Sequence, residues 1–279
     1  MTRTTVDLAG KGYWDKTWMQ DAIPDPIDPR RADLGNFGNI CLHRFFAQTF
    51  RGSRTNGLSL LEVGCARSAW LPYFAREFGF LISGIDYSEV GCAQTRELLS
   101  RAAVPAAIYC ADLFEPPIGL RGTQDVVVSF GVVEHFAETT ECLRAMAALL
   151  KPGALMITVI PNTTGLIGVF EKWLDRSIYD IHVPLRKEAL RASHEEAGLE
   201  ALTCDYLMGT NWSVLNVAGW KRPRLRAMAQ HQLSHATRLF WLAERRGIGI
   251  HPNRWTSPYI VCVAQVARAS HRERPQVLG

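Results

Sequence analysis

The chain has 279 residues, 47% hydrophobic and 21% charged, with 31 Lys+Arg against 27 Asp+Glu for a formal net charge of +4. These proportions exclude a disordered or fibrous protein, and so small a positive excess gives no electrostatic ground for a nucleic-acid partner. Seven cysteines without a Cys-x-x-Cys pair point to neither a disulfide framework nor a thiolate zinc site, which fits a reducing cytoplasm.

The N-terminus lacks the apolar core of a secretory signal. No stretch approaches the roughly eighteen apolar residues of a membrane span, so a cytoplasmic protein with no membrane partner is expected. Residues 1–54 read as an N-terminal arm and helix. The run Ile23-Pro24-Asp25-Pro26-Ile27-Asp28-Pro29 cannot be regular helix, because each proline lacks an amide donor and restricts its predecessor; an extended arm is expected there, then a helix near Ile40 to Phe50.

From Leu58 onward, apolar runs of strand length alternate with helix-period segments, the pattern of βαβ units. Five parallel strands are expected at Ser59 to Val63, Phe80 to Ile85, Ala106 to Cys110, Asp125 to Phe130 and Ala154 to Ile160. Leu71, Phe74, Ala75 and Phe78 take helical spacing and end at Gly79, and Leu143, Met146, Ala147 and Leu150 repeat it before Pro152-Gly153. Ala201 to Leu207 and Tyr259 to Ala264 read as a final pair of strands around a helical insert at about 208–257, with a helix from about Pro223 to Arg246 capped by Gly247. The expected fold is therefore α/β: a Rossmann-like, seven-stranded, mostly parallel sheet with helices on both faces over residues 55–267, then a C-terminal tail at 268–279. Trp70, Trp173, Trp220 and Trp241 read as packing residues. Lys221, Arg222, Arg224 and Arg226 read as a solvated helix face.

Leu61-Glu62-Val63-Gly64-Cys65-Ala66-Arg67-Ser68 carries the sharpest local signal. Small residues where a strand meets a helix let backbone amides approach a ligand, and the helix N-terminus favours a negative group. The Gly-x-Gly-x-x-Gly that seats a pyrophosphate is absent, which speaks against an NAD(P)-dependent oxidoreductase. Asp86 and Ser88, in Gly84-Ile85-Asp86-Tyr87-Ser88, follow the second strand, where an acid can accept both ribose hydroxyls. Asp112 ends the third strand; it either meets an adenine amino group or caps the next segment.

With Asp125 to Phe136 after these turns and Leu150-Lys151-Pro152-Gly153 before the fifth strand, the sequence resembles the class I S-adenosylmethionine-dependent methyltransferases of small-molecule type over about residues 55–265. The resemblance implies that Glu62, Gly64, Cys65 and Ala66 surround the methionine part of the cofactor and that Asp86 and Ser88 serve the ribose. It sets Tyr87 on an adenine face, Asp112 and Leu113 on the adenine edge, and Phe130 with Gly131 on the sulfonium side. Ala66 and Ser68 depart from the family's E-x-G-x-G-x-G. Tyr13, Trp14 and Trp18 are similar to an aromatic lead-in that closes over the cofactor, where rings attract a sulfonium.

For catalysis, His135 reads as a general base or a brace for its loop, and His182, in Tyr179-Asp180-Ile181-His182-Val183, as a base beside the acceptor or a surface residue. Asn162, Asn211 and Trp212 follow strands five and six and are substrate-binding candidates. No metal is expected, since the sequence displays no carboxylate or His cluster. The expected reaction is in-line transfer of the methyl of S-adenosylmethionine to a small-molecule acceptor, a metabolite hydroxyl first, leaving S-adenosylhomocysteine; a monomer or homodimer is expected. A protein that binds the cofactor without methylating is the alternative from another class.

Overall fold

The computed structural model describes residues 5–215 and 223–267. The tail at 268–279 and Trp220, Lys221 and Arg222 lie outside the described residues, as do the side chains of Leu225 and Arg226. In chain order the elements are α1 (Lys11–Gln20), α2 (Phe37–Thr49), β1 (Ser59–Val63), α3 (Trp70–Phe78), β2 (Leu81–Asp86), α4 (Glu89–Arg101), β3 (Ala107–Cys110) and β4 (Gln124–Phe130). There follow α5 (Thr139–Ala147), β5 (Leu150–Pro161), α6 (Leu166–Leu174), α7 (Arg176–Asp180), α8 (Lys187–Glu196), β6 (Leu199–Leu207), α9 (Pro223–Arg245) and β7 (Tyr259–Val266).

The seven strands form one sheet in the order β3-β2-β1-β4-β5-β7-β6. β1 to β5 pair in parallel, and β7 runs antiparallel between β5 and β6. Parallel strands need crossover helices, and those helices cover both faces; this is why the central strands are unbroken apolar runs. Alternate residues supply the two faces. Leu60, Val126, Val128, Ile157 and Val159 pack with Phe46, Leu71, Tyr73 and Phe74 on one side. Leu61, Val127, Met156 and Ile160 pack with Leu143, Met146 and Leu190 on the other.

Three boundaries differ from the sequence reading. The arm is not wholly extended: it forms α1, which buries no residue fully and is held by partners distant in sequence. Lys11 pairs with Glu89 at 3.2 Å, the Ser88 hydroxyl donates to Asp15 at 2.6 Å, and the Gln94 amide donates to the Trp18 carbonyl at 2.9 Å. The next helix starts at Phe37 because the Asp33 carboxylate takes the Asn36 amide at 3.1 Å and sets up a short 3-10 turn ahead of it. Leu150 belongs to β5 rather than to α5. Gln124 pairs with Leu150 and Val126 with Leu155, and the register shift between them takes up Pro152 and Gly153, whose φ is +77°.

Met156 is fully buried in the middle of β5. Replacing it with alanine removes its contacts and leaves a void, so Met156→Ala should cost about 2–5 kcal/mol. The check is a lower urea midpoint with an unchanged slope.

Candidate active site

The strand order turns around at β1, with β2 leaving on one side and β4 on the other, and the carboxyl ends of these strands open a crevice of the kind in which such sheets bind ligands. After β1 the chain turns at Gly64, whose φ is +74°; a Cβ there would stand 2.4 Å from the Val132 side chain, so only glycine fits. The Glu62 carboxylate accepts the Ser68 hydroxyl at 2.5 Å, and the same Ser68 oxygen takes the amides of Trp70 and Leu71 in the first turn of α3. Asp86 joins two turns: its carboxylate accepts the Ala66 amide at 3.0 Å and the Ser88 amide at 2.7 Å.

Burial pushes the Glu62 carboxyl up to about 8 against the pull of the Ser68 hydrogen bond, with the charge of Asp86 adding to the rise. Burial likewise lifts Asp86 to about 6, its two amide donors offsetting part of that. Among the described residues neither acid forms an ion pair, so a ligand with hydroxyl or ammonium donors would supply what the protein does not.

These acids open on a cavity of about 330 Å³. Its wall includes Glu62, Gly64, Ala66, Asp86, Tyr87, Asp112, Leu113, Phe130, Gly131, Trp14 and Trp18, all singled out from the sequence. It also includes Asp7, Arg67, Val132 and Phe136, which were not singled out as site residues, and Trp70, which reads from the sequence as a packing residue. Trp14 and Trp18 stack at 5.2 Å, Trp14 and His135 meet edge to face at 5.0 Å, and Trp70 packs in a stack on Phe130 at 5.2 Å. Asp7 accepts the Tyr87 hydroxyl at 2.7 Å and the amides of Ala9 and Gly10. Nothing local in the sequence distinguishes Asp7; its place depends on a β-bridge to Phe136.

Other expected site residues are placed elsewhere. The Cys65 side chain packs into the core against the β2 backbone at Gly84. Ser88 is fully buried as the cap of α4, its oxygen accepting the Gly91 amide at 2.9 Å. Tyr13 is absent from the cavity wall and sets its ring against Trp14 at 5.0 Å. Asn162 is fully buried and donates to the carbonyls of Arg254 and Ser257, pinning the loop before β7. Asn211 accepts from Ser213 and caps a short 3-10 turn. Trp212 lines a second, apolar cavity of about 470 Å³ between α6 and α9, with Phe170 at 5.8 Å.

The two candidate histidines come together, their ring centroids 4.5 Å apart. His135 borders the cavity, whereas His182 stands behind it. Burial, reinforced by His182, pushes the His135 imidazole down to about 4; burial also lowers His182, so both rings are neutral at pH 7. Beside them Glu134 is buried, and burial raises its carboxyl to about 8. The fold thus brings His182 to the adjacent pair Glu134 and His135, from which the sequence holds it far apart.

Residues 41–203 match the family model described as a methyltransferase domain. The chain therefore belongs to the methyltransferase-domain family, within the class I S-adenosylmethionine-dependent methyltransferases. A ubiquinone biosynthesis O-methyltransferase from Caulobacter vibrioides is 32% identical over 151 residues, covering 49% of this chain and 57% of that protein. The chain thus spans little more than half the length of the curated relatives it matches. Among solved structures, the (4+2) cyclase SpnF superposes with a TM-score of 0.59 at 16% identity, covering 95% of this chain and 98% of that one. A phosphoethanolamine N-methyltransferase 2 from Haemonchus contortus, in complex with S-adenosyl-L-methionine, has a TM-score of 0.55 at 15% identity, covering 94% of this chain and 59% of that one. At such identities these structures share the fold alone.

A carboxyl with a raised folded pKa keeps a proton that the unfolded chain surrenders near pH 4, so its contribution is complete below that pH and declines until the folded value is passed. For Glu62 the decline runs to about pH 8. The ligand-free protein should therefore lose stability relative to Glu62→Gln as the pH rises from about 5 to about 8. Paired urea titrations across that range test the assignment, and parallel curves would refute it.

Proposed function

We propose that this protein transfers the methyl group of S-adenosylmethionine to a small-molecule acceptor, a hydroxyl oxygen first. The observation that carries this reading is the pair of acids, buried Glu62 and half-buried Asp86, at the ends of adjacent parallel strands in an aromatic-walled cavity. In this reading Asp86 accepts the ribose hydroxyls and Glu62 faces the methionine ammonium. Tyr87 covers the adenine, Asp112 and Leu113 border its edge, and Phe130, Gly131 and Trp14 surround the sulfonium, where ring faces attract a cation. Trp18 and Asp7 complete the arm's side of the wall.

The chemistry asks little beyond alignment. An acceptor oxygen forms the new C–O bond as the S–C bond breaks, sulfur keeps the bonding pair, and S-adenosylhomocysteine leaves. The sulfonium is already activated, so holding the two reactants in line supplies most of the acceleration. The hydroxyl proton passes to water at the edge of the cavity that the neutral His135 ring borders. A hydroxyl acceptor draws support from the O-methyltransferase names of the curated relatives.

Asp86→Ala leaves the ribose hydroxyls unpaired in the pocket and should weaken S-adenosylhomocysteine at least about ten-fold, or about 1.4 kcal/mol. Calorimetric titration reads this directly, and an unchanged affinity in a folded variant would refute the ribose assignment. NAD(P) titrated in parallel should give no heat; binding of NAD(P) in place of S-adenosylhomocysteine would favour the oxidoreductase class.

Replacing both Trp14 and Trp18 with alanine opens the arm's side of the cavity. Amide exchange across α1 should then become insensitive to S-adenosylhomocysteine, whereas the unaltered arm slows on binding. Equal exchange with and without ligand in the unaltered protein would detach the arm from cofactor binding.

A further inference from the structure

Glu134, His135 and His182 form the one cluster among the described residues able to offer three metal-ligand atoms, all within 4.8 Å of one another. Both rings are oriented for ligation. His135 Nδ1 lies 2.8 Å from the Ile181 carbonyl, and His182 Nδ1 lies 2.7 Å from the Ile178 carbonyl. A carbonyl only accepts, so each Nδ1 carries the hydrogen and each Nε2 presents its lone pair. Metal-binding imidazoles are held in this way, the second nitrogen donating to a carbonyl that fixes the tautomer and the ring plane.

Glu134 supplies the independent observation. The residue is 1% exposed, and no other residue donates a hydrogen bond to either carboxylate oxygen; only its own backbone amide pulls on the carboxyl. An unpaired buried carboxyl is costly, whichever its protonation state. The segments carrying the donors are also tied together, because the Val183 amide donates to the Glu134 carbonyl at 2.6 Å.

We propose that Glu134, His135 and His182 form a site for one divalent transition-metal ion of the zinc type, bound through two imidazole Nε2 atoms and a carboxylate oxygen at the edge of the cofactor cavity. Two nitrogens and one oxygen suit zinc and its neighbours, whereas magnesium favours oxygen donors throughout. Three protein ligands leave a further position open, as in zinc sites that act on a substrate. Zinc bonds of about 2.0–2.2 Å require the donors to draw in around the ion, a side-chain adjustment rather than a refolding. What the ion does rests on the methyl-transfer reading: an acceptor hydroxyl taken as a ligand gives up its proton to water, and its oxygen then attacks the methyl group. Binding of the ion does not rest on that reading.

The test is a titration of the chelator-treated full chain with Co2+, a spectroscopic substitute for zinc, followed by visible absorption, with S-adenosylhomocysteine binding measured separately by calorimetry. One Co2+ per chain is expected, with visible ligand-field bands. Glu134→Gln and His182→Ala should each weaken Co2+ at least ten-fold while retaining S-adenosylhomocysteine binding, which also shows that they fold. His231 and His235, one turn apart on α9 with ring centroids 5.9 Å apart, are the competing surface pair. Replacing both with alanine should leave the signal unchanged. Absence of Co2+ binding, binding indifferent to Glu134→Gln and His182→Ala, or binding lost with His231 and His235 would each overturn the site. Failure of S-adenosylhomocysteine to bind the unaltered protein would instead overturn the cofactor reading and leave the Co2+ result standing.

Discussion

The candidate site depends on holding two carboxyl groups, buried Glu62 and half-buried Asp86, at the ends of β1 and β2. Asp86 is tolerable there because the Ala66 and Ser88 amides donate to it, and Glu62 because Ser68 does. Those bonds fix the backbone around them. The turn after β1 must pass close to Val132, which requires Gly64, and α4 must begin against Ala66, where a Cβ on Gly91 would come within 2.4 Å of the Ala66 methyl. The family's glycines at the positions of Ala66 and Ser68 are thus answered by compensations: a glycine in the facing helix and a serine hydroxyl turned to use.

Parallel pairing makes such a site possible. Five strands pointing the same way deliver their carboxyl ends to one edge, and burial on both faces leaves that edge as the place where polar groups can collect. β6 runs in the direction of β5 with the antiparallel β7 between them, so its carboxyl end also reaches this edge, and the insert between β6 and β7 builds, with α6, the separate apolar cavity beside Trp212. Among the described residues no helix is long and apolar enough to cross a membrane.

The arm illustrates how little local stability a cavity wall needs. α1 has no fully buried residue and no side-chain cap, and its contacts with α4 are polar. Even so, its tryptophans and Asp7 close one side of the cavity. Interactions of that strength suit a segment that, in the proposed reading, opens and closes over the cofactor.

What the sequence determined by itself was whatever has a short period or a local stereochemical rule. The strands were readable as apolar runs, α3 by its spacing and Gly79, and α9 by its spacing and Gly247, each of these glycines with positive φ. The acids Glu62, Asp86 and Asp112 were readable because a strand's end determines where its next side chain goes. Tertiary structure decided the rest, because those features arise between segments far apart in the chain. It folded α1 against α4, turned Cys65 into the core, and spent Asn162 on the loop before β7. It also brought Asp7 to Tyr87 and set His182 beside Glu134 and His135. A cluster of one acid and two histidines from segments nearly fifty residues apart has no periodicity to announce it; only the packing of the loop after α7 against the turn after β4 creates it.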